Sequence, residues 1–180
     1  MWKSLILPLV AAVFPLGSAQ NVDEVNVSKG GTLSGQGLAV HGYDVVAFFT
    51  QGQPVLGSDA YTVAHGGWTY RFVSQAHLDA FKADPAKYEP AFGGFCAYGT
   101  ALGKKFDGDP RYWRIVDGRL YLNLNGNIQA EWSKDIAGNI TKANTNWSRI
   151  HGTPVERLSP WPEQRRLQTD RLEPAMLPVS

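Results

Sequence analysis

The chain has 180 residues, with 17 basic and 16 acidic side chains and no basic cluster or stripe. That balance argues against nucleic acid and anionic membrane surfaces as partners. A single cysteine, Cys96, excludes a disulfide framework within the chain.

Met1-Trp2-Lys3, the apolar run from Leu5 to Leu16 and the small residues Gly17-Ser18-Ala19 read as a signal peptide over 1–19. The apolar run is shorter than the ~20 residues that span a bilayer. The mature chain is therefore expected to be periplasmic or secreted, with no membrane segment after cleavage. A polar, Gly/Ser-rich lead-in follows over 20–37. Gly42-Tyr43-Asp44 then opens Val45 to Phe49, with Asp44 placed to cap a short helical turn.

Ala60 to Ala64 and Trp68 to Val73 suit strands joined by the turn residues His65-Gly66-Gly67. Trp68, Tyr70 and Phe72 share one face of the second strand, an aromatic stripe suited to a core. Ser74 is a good N-cap for a helix over Gln75 to Ala83, which puts His77 on or beside the face of Leu78 and Phe81. Asp84-Pro85 starts a short turn reaching Tyr88. After the glycine-rich 92–99, Lys104-Lys105 with Asp107 and Asp109 read as a solvated loop.

Trp113 to Val116 and Leu120 to Asn123, joined by Asp117-Gly118, form the strongest hairpin signal. Ile128 to Trp132 and Ile136 to Ala143 read as closing helices that end with Trp147. The remaining stretch, 149–180, holds five of the eleven prolines and is expected to be extended, with one helical turn around Glu163 to Leu172. No internal repeat is visible. The class is α+β: a small single domain over 38–148 with two β-hairpins and several short helices.

Tyr70-Arg71-Phe72-Val73-Ser74-Gln75-Ala76-His77-Leu78-Asp79-Ala80-Phe81, followed by Pro85 and Tyr88, resembles the YHS domain. Gly42-Tyr43-Asp44, Gly93-Gly94-Phe95-Cys96-Ala97-Tyr98 and Val116 to Asn123 are similar to the longer exported bacterial branch of that family. The resemblance implies a metal-binding module. Of the three positions that correspond to the family's cysteines, Ala47, Val73 and His77, only His77 keeps a ligand-capable side chain. Cys96 lies outside the short motif.

Cys96 and His77 form the leading candidate pair, since thiolate and imidazole together suit copper or zinc. They are nineteen residues apart, so folding must bring them together. His65 in the hairpin turn and Asp44 are the next candidate ligands, and His41 is weaker. The expected function is metal-ion binding in trafficking, storage or sensing. One alternative is a metal-free module that binds a small ligand, or a protein partner through the C-terminal tail. Another is a thiol enzyme in which His77 activates Cys96.

Overall fold

Two antiparallel hairpins built to the same plan organise the chain. The computed structural model describes residues 25–26, 37–66 and 68–158. The segment read as a signal peptide, most of the polar lead-in and the tail beyond Leu158 lie outside the described residues.

In chain order the elements are α1 (Ala47–Thr50), β1 (Ser58–His65), β2 (Trp68–Phe72), α2 (Gln75–Ala83) and α3 (Pro85–Tyr88), then α4 (Ala97–Ala101), β3 (Asp109–Val116) and β4 (Arg119–Asn123), and finally α5 (Gly126–Ser133), α6 (Ile136–Ile150) and α7 (Val155–Leu158). The α+β class and both hairpins follow the expectation. The caps do too: Ser74 accepts from the His77 amide at 3.2 Å, and Asp84 accepts from the Lys87 amide at the start of α3.

A repeat that is faint in the sequence emerges from the register. In the first hairpin Ser58 faces Phe72, Thr62 faces Arg71 and His65 faces Trp68, with an irregularity between Ser58 and Thr62. In the second, Asp109 faces Asn123, Trp113 faces Leu122 and Val116 faces Arg119, with the irregularity between Asp109 and Trp113. Every pair has moved by 51 positions. The caps move with them: Ser74 to Asn125 before α2 and α5, and Asp84 to Asp135 before α3 and α6.

The turns ahead of each hairpin match as well, at 52 positions. Ala39–Gly42 and Ala91–Gly94 both pass through left-handed backbone, at Val40 and His41 in one and at Phe92 and Gly93 in the other. A β-branched residue such as Val40 adopts that region only under constraint from its surroundings. Gly57 and Gly108, again 51 apart, precede β1 and β3. A Cβ would fall 2.5 Å from the Arg71 carbonyl carbon at the first and 2.2 Å from the Gly94 oxygen at the second. Both repeats therefore need glycine at one point of close backbone approach.

β4 lies between the two cores because strand side chains alternate. Leu120 and Leu122 pack with Val45, Phe48, Trp68, Phe72 and Phe81 of the first repeat. Tyr121 points the other way, against Trp132, Ala97 and Ala143. Phe72 and Trp132 are each 0 % exposed, and burying a side chain of this kind stabilises by about 2–3 kcal/mol.

Two expectations are corrected. Lys105 does not sit in a solvated loop: it is 0 % exposed, with its ammonium turned onto main-chain carbonyls. The described start of the tail is helical rather than extended, because α6 runs to Ile150 and Val155–Leu158 add a further turn. The predicted turn around Glu163 to Leu172 lies outside the described residues.

Candidate ligand site at His77

Asp44 follows the first left-handed turn and is 0 % exposed. Its Oδ1 accepts from the amides of Val46 at 2.8 Å and Ala47 at 3.2 Å, capping the turn that leads into α1. Its Oδ2 accepts from the Val73 amide at 2.9 Å, just past the end of β2. One carboxylate thus ties the turn to the hairpin, and a buried charge requires that degree of hydrogen bonding.

The fourth partner of Asp44 is His77, whose Nδ1 lies 2.7 Å from Oδ2. The first turn of α2 carries this histidine, and its side chain is 16 % exposed. An acceptor on Nδ1 fixes the neutral ring's proton there and leaves Nε2 as the lone-pair nitrogen. Nε2 lies 3.3 Å from Oγ1 of Thr50, an exposed residue at the end of α1. The Thr50 hydroxyl already donates to the Val46 carbonyl at 3.0 Å. Its one hydrogen cannot serve both acceptors, so Nε2 is left to share it or to find another donor.

Cys96 occupies the position equivalent to Asp44, 52 residues on, in the other repeat. It is 0 % exposed and packs with Phe106 and Leu124, with Ile128 and Tyr98 against that cluster. The sulfur accepts from the Gly99 amide at 3.4 Å, and its thiol faces Asn123 Oδ1 at 3.7 Å. Burial pushes the thiol up to about 11, opposed only in part by the surrounding amides.

The structure therefore does not assemble the Cys96–His77 pair. His77 is held by Asp44 and Thr50 in the first repeat, and Cys96 by Gly99, Asn123 and apolar side chains in the second. A thiolate ligand is disfavoured at a sealed sulfur with a raised pKa, and a thiol nucleophile for the same reason. His65 points elsewhere again, pairing with Glu89 at 3.0 Å and stacking edge-on to Phe81. Asp44 and His77 are the only two of the four candidate ligands that meet. Among the described residues no three His, Cys, Asp or Glu side chains gather to hold a metal ion. The described residues do not fit the copper or zinc site expected from a thiolate at Cys96 with an imidazole at His77.

A second, part-buried His–Asp pair joins the repeats. His41 Nε2 lies 2.7 Å from Asp107 Oδ1, which also accepts from Asn26 Nδ2 at 2.7 Å. This cluster knits the lead-in to both repeats. The reading from sequence missed Thr50 because nothing in its spacing marks it. The offset of the Asp44 and Cys96 turns was a usable signal, since Ala, Gly and an aromatic recur in Ala39-Val40-His41-Gly42-Tyr43 and Ala91-Phe92-Gly93-Gly94-Phe95.

No protein-family model, curated protein or solved structure matches this chain.

Proposed function

We propose that the chain is a metal-free binding module whose recognition point is His77 Nε2 beside the Thr50 hydroxyl. The ligand class is a small molecule that donates a hydrogen bond, such as a hydroxyl or an amide N–H. One observation carries the reading. The second repeat builds the same joint between turn and hairpin with Cys96, and has Ile128 at the position of His77. The imidazole is thus an addition that this architecture does without elsewhere. With Asp44 accepting at Nδ1, the neutral ring keeps its outward nitrogen as an acceptor.

Export to an oxidising compartment belongs to the same proposal. A lone thiol buried at 0 % exposure is compatible with it, because oxidation follows thiolate character and access. The YHS resemblance also stays part of the proposal, and the motif residues Tyr70 to Tyr88 all fall in the first repeat.

The test is a titration of the full chain with phenol, zinc(II) and copper(II) in separate arms, followed by the His77 ring nitrogens in NMR spectra. The reading expects phenol to shift Nε2 and the neighbouring Thr50 amide, and His77→Gln to abolish both shifts. An unmoved Nε2 across the phenol titration contradicts it. Stoichiometric zinc or copper uptake at Nε2 replaces it with a metal function using His77 as one ligand.

A further inference from the structure

Lys105 is the buried charge that the candidate site does not use. It sits between α4 and β3, is 0 % exposed, and its Nζ donates to the carbonyls of His151 at 2.5 Å and Thr153 at 2.9 Å. The same nitrogen lies 5.3 Å from the Phe95 ring and 5.4 Å from the Trp147 ring. These are cation–π distances, in surroundings where water does not weaken the attraction. His151 caps the C-terminal end of α6, where the helix dipole also favours a cation.

The segment so held contrasts with the body it covers. From His151 to Leu158 no residue whose burial is described is buried. Its described backbone donors bond locally: the His151 amide to the Trp147 carbonyl at 3.0 Å, the Thr153 amide to the Ile150 carbonyl at 2.9 Å and the Arg157 amide to the Pro154 carbonyl at 3.1 Å. Its one aromatic contact with the body is the His151 ring against Trp147 at 6.1 Å among the described residues, yet it covers a fully buried ammonium. Segments with few buried apolar side chains open at lower free energy than the core does.

We propose that residues 151–158 form a strap that opens as a unit while the two repeats stay folded, with Lys105 as its latch. Closed, the strap caps α6 and withdraws the ammonium from solvent. Open, it bares that ammonium beside the faces of Phe95 and Trp147. The latch exists only in the second repeat, since the loop at the equivalent place, from Gln51 to Leu56, has exposed or half-buried residues throughout.

Cys96 supplies the control, because it is the sealed thiol of the body. The experiment labels the native full chain at amines with an acetylating ester and at thiols with an alkylating reagent, across a urea series. Lys105 is resolved from Lys104 by fragmentation. The proposal expects protection of Lys105 to be lower than that of Cys96 by roughly tenfold or more, with a weaker urea dependence. Equal protection and equal urea dependence at the two sites overturn it.

Lys105→Met provides a second arm. Amide exchange over 151–158 should speed up by roughly tenfold or more while β3 and β4 keep their protection. Unchanged exchange over 151–158 overturns the latch. If Lys105→Met does not fold, the wild-type labelling decides alone.

Discussion

In the first repeat the joint between turn and hairpin is closed by Asp44, and in the second by Cys96, 52 positions on. Asp44 draws in the amides of Val46, Ala47 and Val73. The amides of Tyr98, Gly99 and Leu124 face Cys96 in the same way, and Leu124 lies 51 positions after Val73. The backbone geometry is common to both and the chemistry is not. The charged acceptor draws its amides to within 3.2 Å and recruits an imidazole, whereas the neutral sulfur accepts weakly, from Gly99 at 3.4 Å, and is covered by Ile128. One joint thus tolerates two side chains, and only the charged version presents a polar group at the surface.

Removing the two joint residues should break that comparison most visibly. Asp44→Ala leaves the Val46, Ala47 and Val73 amides and His77 without their acceptor. Its expected cost is about 3–5 kcal/mol in urea unfolding. Cys96→Ala loses weaker contacts and should cost about 1–2 kcal/mol. Equal losses at the two positions would show that charge at the joint carries no special weight.

The joint should also respond to alkali. The Cys96 thiol is raised by burial from 9.0 to about 11. The unfolded chain therefore releases this proton first, and stability falls as pH rises from the unfolded value through the folded one. The limiting loss is about 3 kcal/mol. Tyr70, raised from 10.0 chiefly by burial and also by Glu89, adds a loss of the same sign at higher pH. Cys96→Ala should flatten the earlier part of the curve and leave the later part. An unchanged curve in Cys96→Ala means that the thiol is not the group responsible.

Two smaller changes sharpen the contrast at the helix. Ile128→Ala opens space over the sulfur. It should cost about 2 kcal/mol, since Ile128 is only partly buried, and raise the alkylation rate of Cys96. His77→Ala should cost about 1 kcal/mol and leave the fold intact, because Asp44 retains its three backbone donors. Loss of folding in His77→Ala would make the imidazole a structural pin and remove the ground for a recognition role.

Local chemistry was legible in the sequence, and long-range placement was not. Both hairpins, the caps at Ser74 and Asp84 and the aromatic stripe of Trp68, Tyr70 and Phe72 follow from patterns a few residues long. The duplication escaped because many of its counterparts differ in kind: Phe72 with Asn123, His77 with Ile128, Asp44 with Cys96. What is repeated is register and left-handed turn geometry, which composition does not display. Lys105 escaped for a related reason. Two adjacent lysines resemble a solvated patch, and only the carbonyls of His151 and Thr153, 46 and 48 residues downstream, turn one of them inward. Asp44 and His77 were both nameable as candidates, but their meeting depends on how the turn packs against α2.

The recognition role proposed for His77 requires that Asp44 hold its ring with the proton on Nδ1 and a bare Nε2 facing outward. Long-range nitrogen–proton correlation of the His77 ring in the native protein reads this directly. The ring should show the Nδ1–H tautomer and lose it in Asp44→Asn. A ring protonated on Nε2 instead, or one averaging between tautomers in the wild type, contradicts it.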